Sequence, residues 1–257
     1  MRTAPRTLAT SVCALSLLAT LAACGSGTQD GAAGGRPDAA SSAPKKKEPF
    51  AGVSGPELTD KAMEATRAAT SLRIKLDMTT TDGPVKADFA SAKSGECTGT
   101  LHIGTSGAMD VVKIGGTAWT RMDEAMLREQ LTEESAADVD ATVDLLAGRW
   151  TEAKTSDPDV ADTLGFCDLE SLLGGFEGGD TEAKRGAVTT HAGQPAIELS
   201  EKDGKETYTF LVAAKGEPRL LRLVSRGGEE PMTMELSDFD RPVEAKKPAA
   251  KDIVDLD

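Results

Sequence analysis

The chain is short of the residues that carry most chemistry. It has two Trp, one Tyr and six Phe in 257 residues, so an interior cavity would be walled by aliphatic side chains and Met. It has two histidines, His102 and His191, each in a strand pattern. No Gly-x-Ser-x-Gly elbow exists, and Gly104-Thr105-Ser106-Gly107 does not fit one, so a Ser/His nucleophile has no support. No Gly-Lys-Ser/Thr follows a glycine cluster, which excludes a phosphate-binding loop. No CxxC pair or nearby histidine offers a zinc site. The acid-rich stretch 123–148 lacks the D-x-D-x-D-G order of a calcium loop, and its acids read as a solvated helical face. Carboxylates are so abundant that no pair of them points to glycoside hydrolysis. The expectation is a protein that is not an enzyme and needs no cofactor.

Positive charge is also short. Lys and Arg number 29 against 42 Asp and Glu, a formal charge of −13. Such a chain repels phosphates, which excludes nucleic acid as a partner. Beyond the N-terminus no apolar run approaches the length of a membrane span.

What is present begins at that N-terminus. Arg2 and Arg6 precede an uncharged apolar stretch, 8–22, which ends in Leu21-Ala22-Ala23-Cys24-Gly25. A short apolar segment with small residues before a cut is a secretory signal. Leu, Ala, Ala and Cys in that order form a lipobox, because lipoprotein signal peptidase requires a diacylglyceryl-modified Cys at the new N-terminus. The alternative is an ordinary secretory signal that happens to contain Cys24. The lipobox reading makes 1–23 a signal peptide and Cys24 the lipid attachment point. The protein then sits on the outer face of the cytoplasmic membrane, its partner through the N-terminal diacylglycerol. Residues 24–49 follow as a flexible tether without large apolar side chains. Lys45-Lys46-Lys47 reads as a solvated spacer or as a contact for anionic head groups.

Residues 50–257 read as one folded domain. Cys13 leaves with the signal peptide, so Cys97 and Cys167 remain in an oxidising compartment. A disulfide between them is the natural reading, with two independent buried thiols as the alternative. Ser54-Gly55-Pro56-Glu57 has the form of a capping box with Pro in the first turn. Leu58, Ala62, Ala65 and Ala69 follow on one helical face. The period then changes from 3.6 to 2. Leu72, Ile74, Leu76 and Met78 alternate with polar residues, Asp82-Gly83 marks a hairpin, and Val85, Ala87 and Phe89 continue. The stretch 123–148 reads as helical, Asp157-Pro158 and Asp168 open short helices, and 174–180 is a Gly-rich acidic loop. The remainder returns to strands, including Tyr208-x-Phe210-x-Val212 and Met232-x-Met234-x-Leu236. The fold class is α+β, with about ten strands in one curved antiparallel sheet.

Val111-x-x-Ile114-Gly115-Gly116-x-x-Trp119, Val212-x-x-x-Gly216-x-Pro218-x-Leu220 and Leu236-Ser237-Asp238-Phe239-Asp240-x-Pro242-Val243 carry a resemblance. From about residue 72 to 248 the chain resembles actinobacterial lipoproteins of the LppX/LprA/LprF/LprG type, which share a fold with the lipoprotein carrier LolA. The resemblance implies a strongly curved sheet, a half-open barrel, with helices on its concave side. It also implies an apolar cavity between them for a lipid or glycolipid ligand, in a carrier or chaperone role in the envelope. Leu72, Ile74, Leu76, Met78, Phe210, Met232 and Met234 are the candidates to line such a cavity, and each could equally be core packing. The alternative function is a ligand-free interaction or sensor module on the same scaffold.

Overall fold

The computed structural model describes residues 48–161, 163–174 and 181–256. The signal peptide, Cys24, nearly all of the tether and most of the Gly-rich loop lie outside the described residues.

Helix α1 (Gly55–Arg67) forms where its caps and stripe say it should. The Ser54 hydroxyl accepts the Glu57 N–H at 3.3 Å, and Pro56 occupies the first turn, relieving donors that have no partner inside the helix. Leu58, Ala62, Met63 and Thr66 are its buried face. Two hairpin series follow. The first holds β1 (Ser71–Thr80), β2 (Gly83–Ala92), β3 (Cys97–Ile103), β4 (Gly107–Ile114) and β5 (Thr117–Met122). Next come α2 (Glu124–Gln130), α3 (Ala136–Leu146), β6 (Trp150–Lys154), α4 (Pro158–Ala161), a 3-10 turn (Thr163–Cys167) and α5 (Leu169–Gly174). The second series holds β7 (Lys184–His191), β8 (Gln194–Asp203), β9 (Glu206–Ala213), β10 (Leu220–Arg226) and β11 (Met232–Ser237), and β12 (Ile253–Val254) ends the chain.

All of these strands form one open sheet in the order β12-β6-β5-β4-β3-β2-β1-β11-β10-β9-β8-β7. The sheet is curved and does not close. Each neighbouring pair is antiparallel except β12 and β6, which are parallel. The two series meet where β1 pairs β11, from Arg73 opposite Ser237 to Met78 opposite Met232. Sequence reading missed β12, a two-residue strand with no pattern of its own. It also read 123–148 as one helical stretch. Two helices form instead, because Asp123 and Ser135 each supply a separate cap, to the N–H groups of Met126 and Asp138. The β7–β8 turn is a two-residue connection with Ala192 at φ 46° and Gly193 at φ 79°, the handedness that tight hairpins need.

The helices cover one face of the sheet over two cores. In the first, Leu58 and Ala62 of α1 and Leu169 and Leu173 of α5 pack on Leu72, Ile197, Val212, Leu220 and Leu236. A polar pin crosses this core. The Leu220 N–H donates to Thr66 Oγ1 at 2.9 Å, and that hydroxyl donates to the Ala62 carbonyl at 2.7 Å. In the second core, Phe89, Leu101, Met109 and Val111 meet Met126 of α2 and Leu164 of the 3-10 turn. Cys97 and Cys167 form a disulfide that closes a separation of 70 residues. Phe89 stacks on Phe166 with centroids 5.2 Å apart. Gly99 is required beneath that stack, since a Cβ there would lie 2.4 Å from the Phe89 ring.

After β11 the chain crosses the opposite face. Asp240 Oδ1 accepts from the N–H and hydroxyl of Thr70, and Lys247 lies 5.2 Å over the Trp119 ring. β12 then joins β6.

Candidate functional site

Strand register sorts the helix-covered face into transverse rows. The deepest row, Gly99, Phe89, Ile74 and Leu236, is in register across β3, β2, β1 and β11, and its Phe89, Ile74 and Leu236 are buried. The next row is Leu101, Ala87, Leu76, Met234, Leu223 and Phe210. Here Leu76 and Met234 are already half-buried while their neighbours remain covered. The outer row is Ile103, Val85, Met78, Met232, Ser225 and Tyr208, and every member is half-buried. Burial therefore falls steadily toward the hairpin-turn end, where the face becomes a strip of half-buried, mostly apolar side chains, the trough.

The helices explain where this trough lies. Their main contacts with the sheet fall on β7 and β10 for α1, on β4 for α2 and on β2 for the 3-10 turn. The central strands β1 and β11 lie between these supports and carry Met78, Met232 and Met234. Methionine suits such a place because its unbranched thioether side chain adapts to irregular contacts. At one end of the outer row the Tyr208 phenol donates to the Glu206 carboxylate. That bond, with burial and nearby carboxylates, holds the phenol above its ordinary pKa, so Tyr208 presents a neutral hydroxyl at neutral pH.

The candidate cavity residues therefore divide. Leu72, Ile74 and Phe210 are buried in the first core. Leu76, Met78, Met232 and Met234 share the half-buried centre of the trough. Val85, Ile103 and Tyr208 belong with them and were not singled out from sequence. The Asp82-Gly83 turn contained the signal for Val85, because it sets Met78 opposite that residue. Among the described residues, no group of three or more His, Cys, Asp or Glu could hold a metal ion. No helix among them is long and apolar enough to cross a membrane.

An open, curved, almost wholly antiparallel sheet carrying helices on one face, with half-buried apolar side chains at the hairpin end of its central strands, defines the class: an α+β cradle fold. Comparison with solved structures returns two lipoproteins of mycobacteria, of which LprF shares this outline. LprF from Mycobacterium bovis superposes with a TM-score of 0.50 at 12% identity, over 76% of this chain and 97% of that one. The Mycobacterium tuberculosis lipoprotein LppX gives a TM-score of 0.47 at 13% identity, over 75% and 100%. The likeness to LprF establishes the LppX/LprF-type fold that the sequence resemblance anticipated. No family model and no curated protein matches the sequence.

Proposed function

We propose that this protein is a lipid-anchored extracytoplasmic lipoprotein whose trough takes an acyl chain or similar hydrophobic ligand. Residues 1–23 are the signal peptide, Cys24 carries the diacylglycerol, 24–49 are the tether and 50–257 are the binding domain. The carrying observation is the outer row: half-buried Met78, Val85, Met232 and Ile103 offer contiguous apolar surface that a closed core would cover. The Cys97–Cys167 bond fits an oxidising compartment. A coil of the tether's length reaches roughly 25–30 Å, which brings the trough near the bilayer that supplies the ligand.

The test is mass spectrometry of lipids bound to protein purified from native membranes, joined to fluorescence titration with cis-parinaric acid. The expected result is a co-purifying lipid and saturable binding that Met78→Glu weakens about tenfold or more, since a buried carboxylate opposes an alkyl chain. Cys24→Ala should release the protein from membranes and leave parinaric acid binding intact. Absence of both lipid and parinaric binding would sink the reading and favour a ligand-free interaction module.

A further inference from the structure

The face opposite the helices has its own organisation. Arg222, Glu235, Lys75 and Asp88 stand in register across β10, β11, β1 and β2. The same row continues through Thr100, Asp110, Arg121 and Trp150 on β3 to β6. Two hollows of about 620 and 610 Å³ follow this row and meet at Asp88. At the usual spacing of neighbouring strands the row is about 30 Å long. The C-terminal segment walls one side, where Arg73 and Thr98 line a third hollow with Arg241 and Val243.

The charges in this groove are arranged for recognition. Six cations line the two main hollows against four carboxylates, on a chain of net charge −13. Arg73 grips Asp88 through Nε and Nη2 at 2.6 and 2.8 Å. Arg121 grips Asp110 through the same two nitrogens at 3.0 and 2.6 Å. Both guanidiniums are thereby fixed in orientation, and the Nη1 edge of each lies outside its pair. A fixed planar donor loses little entropy when it binds. Asp110 also accepts the Thr100 hydroxyl at 2.7 Å. Arg121 stacks on Trp150 at 4.8 Å and so makes a flat platform at the β6 end.

We propose that this groove binds an extended anionic glycan, a chain of sugar rings carrying carboxylates. The length of the row suits several rings in line. The guanidinium edges and Lys86, whose ammonium lies 3.2 Å from the exposed Asp77 carboxylate, meet the carboxylates, while Asp88 and Asp110 accept from ring hydroxyls. Burial opposes the charge on Asp88, but the Arg73 bond, the Arg73 charge and Lys75 together outweigh it and keep the carboxyl below its usual range, so the acceptor persists at mildly acid pH. A peptide fits less well, because the floor is the interior of a sheet whose backbone groups are already paired. This site and the apolar trough lie on opposite faces, so neither reading depends on the other.

Calorimetric titration of the full-length protein in detergent micelles tests the proposal, with hexagalacturonate, maltohexaose, hexaglutamate and inorganic phosphate as probes. Hexagalacturonate should bind tightest and weaken as salt screens the contacts. Arg121→Gln and Lys86→Gln should each lower its affinity about tenfold, the scale of one charge-assisted contact. Lys86 is exposed and pairs with Asp77 at the surface, so its replacement should leave folding intact, which a melting temperature checks. Met78→Glu should leave hexagalacturonate binding unchanged. The proposal is overturned if maltohexaose binds equally well, if hexaglutamate or phosphate binds as tightly, if Lys86→Gln has no effect, or if hexagalacturonate does not bind.

Discussion

The two halves of the sheet are held to their helices by different means. On β8 to β11 the long helix α1 supplies a continuous apolar stripe, and Leu58 is fully buried against Leu220 and Val212. On β2 to β5 the covering elements are short: α2, α4 and the 3-10 turn. Short helices are marginal by themselves and bury little surface. There the disulfide supplies what packing does not. Cys97 on β3 fastens Cys167 at the end of the 3-10 turn, and the Ser91 hydroxyl donates to the Phe166 carbonyl at 2.9 Å beside it. Where a helix is long enough to bury a stripe, no covalent bond is needed. Where the cover is a few turns, a crosslink secures it.

The strongest way to break this contrast is to remove the crosslink. Replacing Cys97 and Cys167 by Ala should cost about 4 kcal/mol, the chain-entropy value for a loop of this size. Hydrogen exchange should show protection falling first in β2 to β4 and the 3-10 turn, with β8 to β10 less affected. Uniform loss across the sheet would mean that the halves unfold as one. Leu58→Ala is the converse experiment. It should cost about 3 kcal/mol through the cavity it leaves, and the loss of protection should centre on α1 and β8 to β10. The same denaturation and exchange measurements check it.

The smallest effect concerns the junction of the halves. The Thr70 backbone N–H, aided by the Arg219 guanidinium and the Thr70 hydroxyl, holds the Asp240 carboxyl below its usual range. A carboxyl with a lowered folded-state pKa contributes stability that is complete above its ordinary value of about 4 and is lost as pH falls through the lower folded value. Asp240→Asn should therefore lower the neutral-pH melting temperature by a few degrees or less and flatten its decline on acidification. An unchanged acid limb would show that Asp240 does not couple the C-terminal segment to β1.

Much of the fold was legible in the chain. Alternation named β1, β2, β9 and β11, and the Ser54 cap with Pro56 placed α1. Cys97 and Cys167, the two cysteines that the signal-peptide reading leaves in the domain, pointed to their bond. The candidate site was legible only in part. Leu72 and Met78 carry the same alternation and the same apolar character, yet one is buried and the other stands in the trough. Nothing within the strand distinguishes them, because the difference comes from helices that cover one end of β1 and leave the other. The polar row of the opposite face was invisible for a related reason. Lys75, Asp110 and Trp150 are far apart in sequence, and only register aligns them.

Local chemistry by itself determined the elements: caps, turns and periodicity act over a few residues and need no distant partner. The proposed N-terminal signal and lipid anchor likewise rest on neighbouring residues alone. Tertiary structure alone decided that β1 pairs β11, that β12 returns to β6, and which apolar side chains remain half-open. Those outcomes depend on contacts between segments separated by most of the chain, where the energy lies in the fit of one surface on another.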